Sequence, residues 1–550
     1  MCVKFEYKCY FEKHSRKRSK IVEKDAAENG FTTPAQYNDF GSTGVAKPGL
    51  DPKPERAAPE EISKLRSMEA NSGIAFTRLL GMRLDATAGP KLFTFGWNLG
   101  ATPRSLTQIP SITTYLDLNQ LLTMARVYFE HVHPLYGFLD KDWVMSQIMV
   151  RFTKTEQLQY CPDHIFAGIA VLGAQFAPGV IDSVVPALVE AAKLSLESTS
   201  TCQPPTLSDV QAWLLRVIYL RCSGHPHSCW IASNLTMHLI ECMGLHQELS
   251  ASIIYALPQE PKDDPELRRR SFWIGRMFNT WVSFEYGRSR VALRGITCHL
   301  PERREGDFTR EYISLYSISC CLDPELLDKP GQWEDFLHQL ESFEARHECM
   351  QLSKANLGLC AYRRLRLANP NLPSDIINRI INLARAGLQA AKTLASRSMP
   401  WWHVANVPFQ SICVFLAIDS KESLSHIAPA MRTLEYVAER FPSPSIREAL
   451  KNARSLIKLS KRKKDEDSEV LSHSLLTEVS NHGQRAPRPA QPAPLTTYVG
   501  PMQEHDGSPP TASSSEEWNL DYLNNSDFDW NVFLGQDIPA FHNLAPDGMM

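Results

Sequence analysis

The chain has 550 residues, a formal net charge of -3 and a hydrophobic content of 43%, enough apolar material for a large core. Its 13 cysteines are an odd number scattered through apolar segments, with Cys320 and Cys321 adjacent, which excludes a disulfide framework and points to a reducing compartment. The N-terminus lacks an apolar run of about 7–15 residues, and no stretch approaches the roughly 18–20 apolar residues of a membrane span, so a soluble intracellular protein is expected.

Charge is polarised along the chain: residues 1–20 hold seven Lys and Arg against two Glu, whereas neither Lys nor Arg follows Arg488. The basic head carries Cys2 and Cys9, then Lys13, Arg16, Lys17, Arg18 and Lys20. Two thiolates cannot complete a tetrahedral zinc site, so Cys2 and Cys9 by themselves specify nothing. The basic run suits phosphate contact, which is sequence-blind and salt-dependent, or nuclear import, or a merely solvated terminus. Residues 21–110 are broken by Pro34, Pro48, Pro52, Pro54 and Pro59 and read as a mostly disordered linker with one helical patch over 60–82.

From Asp117 the texture changes. Leu118, Leu121, Leu122, Ala125, Tyr128, Phe129 and Val132 keep the spacing of one helix face, with Asp117 and Gln120 placed for a capping box and Pro134 as the stop. Further helices are predicted over 163–176, 186–199, 206–222, 227–244, 266–286, 334–368, 373–396, 405–420, 424–440 and 443–463. Pro204-Pro205-Thr206 opens one of them and Gly244 closes another. Strand patterns and fixed-period repeats are hard to find, so residues 111–463 are expected to form a large all-α, multi-helix domain flanked by disordered linkers and a tail.

Residues 464–515 begin where the basic Lys461–Lys464 cluster abuts Asp465, Glu466 and Asp467, and include seven prolines over 485–510. Such a Pro-rich composition cannot bury enough surface to offset its ordering entropy. In 516–541, Trp518, Leu520, Tyr522, Leu523, Phe528, Trp530, Phe533 and Leu534 interleave with Glu516, Glu517, Asp521, Asp527, Asp529 and Asp537. Like charges keep such a segment extended, while its aromatics can fold onto a partner's groove, which is the pattern of activation segments. Folding back onto the helical domain is the competing reading.

An enzyme is the remote alternative. Glu130, His131 and His133, and likewise His225, His227 and Cys229, lack the spacing that sets two metal ligands on one helix face, and read as helix-boundary residues. Asp263-Asp264-Pro265-Glu266 sits at a helix start rather than inside an Asp-rich magnesium helix, and neither a phosphate-cradling glycine loop nor a nucleophile elbow is found.

The order of these parts resembles the fungal binuclear zinc cluster transcription factors, whose DNA-binding module holds two zinc ions in six cysteines of the pattern Cys-x2-Cys-x6-Cys, twice. Cys2 and Cys9 match the fifth and sixth of those cysteines, and the fourth falls ahead of Met1. The resemblance therefore implies a chain that starts inside its zinc cluster, a late-assigned start being preferred to a truncated isoform. Half a cluster should neither hold zinc nor read a DNA site, because the metal supplies the folding energy.

Three middle segments, 121–143, 232–248 and 266–302, resemble the helical middle region of the same family. In the last, Arg268, Arg269 and Arg270 precede Phe272-Trp273, and Gly287-Arg288 is followed by Ser289 where the family has proline, so a looser turn is expected. The apolar stripe Ile274, Met277, Phe278 and Trp281 reads as core, with a ligand-pocket wall as the lesser reading. The resemblance implies a nuclear regulator of transcription, an activator by its tail, with DNA and the transcription machinery or a coactivator as partners, a homodimer as a further option, and no membrane. A shortened interaction protein without DNA binding is the alternative.

Overall fold

The computed structural model describes residues 109–153, 162–202, 205–223, 226–248, 264–323, 331–369 and 371–480, together with 72, 73, 76, 77, 80 and 84. Among the described residues there is no β-strand, and the all-α architecture expected from the sequence is observed. No described helix is long and apolar enough to cross a membrane. Of the patch expected at 60–82, Gly73, Phe76, Thr77 and Leu80 are helical.

Helix α1 (Leu118–His131) starts on the capping box its sequence announces. The Asp117 carboxylate accepts the Gln120 amide at 2.9 Å, and the Gln120 side chain accepts the Asp117 amide at 3.0 Å. A short turn α2 (His133–Tyr136) and α3 (Lys141–Thr153) follow. The buried face of α1 lies against α4 (Asp163–Phe176), which is apolar almost all round. They meet closely because position 173 is glycine: a Cβ there would collide with the Met124 carbonyl. Next come α5 (Val185–Cys202), α6 (Leu207–Cys222), whose Thr206 and Asp209 form a second capping box, and α7 (Pro226–Cys242). Gly244, at a φ of 65°, turns the chain out of α7.

Helix α8 (Pro265–Tyr286) is the axis of this half, packed on α6 and α7. Asp264 caps it, Pro265 takes the position where its missing N–H costs nothing, and Gly287 ends it at a φ of 63°. Ile274, Met277, Phe278 and Trp281 are all exposed by 4% or less, so the stripe read from the sequence is core. Each such burial stabilises by roughly 1.5–3 kcal/mol.

Helix α9 (Thr309–Ser319) leads to α10 (Gln332–Ser342), α11 (Glu348–Ala368), α12 (Ser374–Ser396), α13 (His403–Ile418), the short α14 (Lys421–Ser425), α15 (Ile427–Arg440) and α16 (Pro444–Ser480). Helix α12 packs against α11 and α13, and α13 against α15 and α16.

Several bounds differ from those predicted. The single helix expected over 334–368 is two, broken at 343–347 without Pro or Gly. The break is held by side chains: Lys354 Nζ donates to the Glu341 and Phe343 carbonyls at 2.9 and 2.8 Å, closing α10, and the His347 ring accepts the Cys349 amide at 3.1 Å, opening α11. Helices α3 and α9 were not predicted. The helix expected to stop at 463 continues to Ser480. Its charged stretch is built of helix formers with a favourable i, i+4 pair, Arg462 Nε lying 3.5 Å from Glu466.

Candidate functional site

The three arginines at the start of α8 are taken up by two regions, Arg268 and Arg269 by the stretch after α7 and Arg270 by its own helix, the loop before α9 and the turn after α2. Arg268 Nη2 reaches the Met243 carbonyl beyond α7 at 3.4 Å. Arg269 grips the Glu248 carboxylate, with Nε 3.1 Å from each oxygen and Nη2 2.6 Å from Oε1. Glu248 Oε2 also accepts the His299 amide at 2.9 Å, so this pair pins the exit segment after α8. Hydrogen bonds from Arg269 and His299 hold the Glu248 carboxyl below its usual range, against the burial that would raise it.

Arg270 is wholly buried. Its Nε donates to Glu266 Oε1 at 2.8 Å, Nη2 to the Glu302 carbonyl at 2.8 Å, and Nη1 to Asp307, Thr309 Oγ1 at 3.3 Å and the Gly137 carbonyl at 3.4 Å. Glu266 Oε1 in turn accepts the Glu302 amide at 2.9 Å. One guanidinium thus ties α8, the loop before α9 and the turn after α2. Gly137 makes room for it: φ is 48°, and a Cβ would stand 2.5 Å from Arg270 Nη1 and 2.6 Å from Thr309 Oγ1.

A second buried polar centre lies at the far end of α8. Arg221 Nη2 on α6 donates to both oxygens of Glu285, at 2.7 and 3.0 Å. Asn356 on α11 donates to Glu285 Oε1 at 3.2 Å and accepts Asn406 Nδ2 from α13 at 3.3 Å. The guanidinium carbon sits 4.8 Å from the Trp402 ring centre and 5.8 Å from that of Phe278. Burial pushes the Glu285 carboxyl up to about 7, against the pull of Arg221. Burial, reinforced by Arg221, holds His403 well below the ordinary histidine value, so it is neutral beside this pair.

The adjoining cavity, walled by Arg221, Phe278, Trp281, Tyr312, Trp401 and His403, measures about 20 Å3. That admits one water molecule and no metabolite. Arg221 Nε faces no protein acceptor there. The centre's chemistry is therefore cohesion, joining α6 and α8 to α11 and α13 through desolvated charge.

Among the residues weighed in sequence, His131 stacks on Phe176 with ring centres 5.8 Å apart, and His133 meets Phe129 edge-on at 5.0 Å. Burial lowers His133 to about 4, so it is neutral. Cys229 Sγ donates to the Val217 carbonyl at 3.5 Å. Among the described residues no group of three or more His, Cys, Asp or Glu comes together as a metal site. Ser289 does not loosen the turn after α8: its carbonyl accepts Trp230 Nε1 at 2.9 Å and Ser283 Oγ at 3.1 Å. Lys464 is paired with Asp419 at 2.7 Å. Cys2, Cys9, the Lys13, Arg16, Lys17, Arg18 and Lys20 run, and the whole of 516–541 lie outside the described residues.

Sequence reasoning missed Arg221, Glu285, Asn356 and Asp307: Glu285 lies within the 266–302 segment without having been singled out there, and the other three fall outside the segments that carried the resemblance. The one signal available was a charge in the apolar helix pattern of α6, LLRVIYLRC, where Arg221 has no partner at i±4.

Residues 125–349 match the family model described as the fungal specific transcription factor domain. The chain is 36% identical to transcription factor kojR of Aspergillus oryzae, over 98% of its own length and 91% of that protein. It is 34% identical to protein RDR1 of Gibberella zeae over 92% and 89% of the two chains, and 30% identical to protein RDR1 of Saccharomyces cerevisiae over 86% and 88%. The chain belongs to this family of fungal transcription factors.

Proposed function

We propose that the protein is a nuclear, DNA-binding regulator of RNA polymerase II transcription of the zinc cluster type, an activator and not an enzyme. Cys2 and Cys9 serve as zinc ligands in a module that holds two ions when complete, and Lys13, Arg16, Lys17, Arg18 and Lys20 contact DNA phosphates or direct nuclear import. Residues 111–463 are the regulatory body. The segment 516–541 recruits the transcription machinery through Trp518, Trp530, Phe533 and their apolar neighbours, set among carboxylates.

The observation that carries this reading is the likeness to transcription factor kojR along 98% of the chain and 91% of that protein, an extent well beyond the helical body alone. Residues 511–550, fused to an unrelated DNA-binding domain, should raise reporter output, and replacing Trp518, Trp530 and Phe533 with alanine should abolish most of that rise. Output at or below the unfused control refutes the activator reading.

A further inference from the structure

Helices α12 and α15 leave an open groove of about 810 Å3 between them. Its cationic side chains are Arg385 and Lys392 on α12 and Arg432 on α15, its main apolar ones are Leu388, Pro429 and Tyr436, and no Asp or Glu lines it. All three cations are exposed. Among the described residues none of them forms an ion pair, and Arg385 reaches only Asn382 Oδ1, at 3.5 Å.

The neighbouring charges show how this arises. Arg379 and Arg397, on the same helix α12, are each held at 2.8 Å by a carboxylate, Glu341 and Glu348 respectively. Glu435 on α15 turns to Arg454 on α16 at 3.0 Å. These carboxylates are engaged outside the groove, so three positive charges stand along about three turns of helix without an internal counter-charge.

Such a wall suits an occupant that is acidic and apolar at once. Inorganic anions or DNA phosphates would meet the cations and leave Pro429 and Tyr436 in water, and a convex duplex does not enter a channel between two helices. A peptide with carboxylates among apolar side chains meets both kinds of wall. The chain carries one. In 516–541, Glu516, Glu517, Asp521, Asp527, Asp529 and Asp537 lie among aromatic and leucine residues, with no Lys or Arg.

Reach is sufficient. Lys464 sits 2.7 Å from Asp419, the residue that ends α13 just ahead of α14 and α15, and α16 carries the chain roughly 24 Å further, to Ser480. A coil as long as 481–515 covers about 30–35 Å, and a fully extended one more than about 100 Å. Tethering at that length makes even a weak contact well populated.

We propose that the groove between α12 and α15 is a docking site for the acidic-aromatic segment 516–541 of the same chain, its carboxylates on Arg385, Lys392 and Arg432 and its apolar side chains over Pro429 and Tyr436. A segment seated there is withheld from the transcription machinery, so groove and coactivator compete for it. That consequence rests on the activator reading, whereas the contact itself does not.

The test is zero-length cross-linking of the full chain with a water-soluble carbodiimide, which joins a carboxylate to an amine where the two are in ion-pair contact, read by peptide mass spectrometry. Lys392 is the amine on the groove wall, and the Lys464–Asp419 pair is the internal reference. The expected product joins Lys392 to carboxylates of 516–541. Its yield relative to the reference should fall fivefold or more when Arg385→Glu and Arg432→Glu are combined, two exposed changes that leave the core untouched. Lys392→Arg keeps the charge and removes the amine, so it should erase this product and spare the reference. A mixture of heavy-isotope-labelled and unlabelled chains should give only unmixed pairs. Mixed pairs would assign the groove to a second copy, and a missing Lys392 product beside a normal reference would leave the segment undocked. A yield unchanged by the double reversal would remove the charges from the contact, and loss of duplex DNA affinity in that variant with no Lys392 product would give the groove to phosphates. Each of these overturns the proposal. The reporter fusion of 511–550 contains no groove, so failure of activation there and failure of the cross-link here are separate results.

Discussion

Replacing Gly137 with alanine isolates what the buried Arg270 network contributes. The substitution acts twice. Its φ of 48° costs alanine about 1–2 kcal/mol relative to glycine. In addition, the new methyl carbon would stand 2.5 Å from Arg270 Nη1 and 2.6 Å from Thr309 Oγ1, neither of which can withdraw freely. Arg270 has no exposed surface and is held by Glu266, Asp307 and the Glu302 carbonyl, so moving it strips a buried pair of its geometry. Disrupting such a pair costs roughly 3–5 kcal/mol, for a total of about 4–7 kcal/mol. Gly287 provides the control, because its φ of 63° carries the same backbone cost while no atom lies within 4 Å of its missing Cβ. Gly287→Ala should therefore lose only about 1–2 kcal/mol. Urea denaturation of the full chain, followed by tryptophan fluorescence and far-UV circular dichroism, compares the two midpoints. Equal losses would refute the reasoning, since they would mean that the Arg270 cage relaxes around a methyl group at no cost.

Two other substitutions probe the body of the fold. Gly173→Ala should destabilise by about 2 kcal/mol or more, because a methyl there meets the Met124 backbone, which cannot rotate aside as a side chain can; a midpoint unchanged in urea would show α1 and α4 to be loosely packed. Glu285 gives a pH dependence: its carboxyl is pushed up to about 7 from an unfolded value of 4.5, so the folded state binds the extra proton and this group's stabilisation is present below 4.5 and lost as pH rises through 7. Relative to Glu285→Gln, which does not titrate, the wild-type chain should lose roughly 3 kcal/mol between those limits, and a flat difference across that range would mean that Arg221, not burial, governs the carboxyl.

What could be read from the sequence follows from how local each determinant is. The start of α1 is announced by Asp117 and Gln120, and that of α6 by Thr206, because a cap is satisfied within one turn of the chain. The core stripe of α8 was equally legible, since burial follows helical period. The break at 343–347 was not, because its cause, the Lys354 amine on the carbonyls of Glu341 and Phe343, has no punctuation residue to mark it. Helix α3 could have been found: Asp140 accepts the Trp143 amide at 2.7 Å, an N-cap visible as Asp-Lys-Asp-Trp. The polar centre could not, because Arg221, Glu285, Asn356 and Asn406 come from four helices far apart in the chain.

The arginine triplet shows why partners, not composition, decide what a basic motif does. In a protein of this family, three consecutive arginines opening a helix invite a reading as nucleic-acid contacts, since guanidinium groups match phosphate geometry well. Here Arg269 already spends its fork on Glu248, and Arg270 on Glu266 and Asp307. A phosphate competing for Arg270 would have to enter a site with no exposed surface and take that guanidinium from the buried Glu266 and the partly buried Asp307. That exchange is unfavourable, so Arg269 and Arg270 act to keep the domain in one piece. The match to the family at this segment is therefore a match in folding, and positive charge that meets DNA has to come from side chains without internal carboxylate partners.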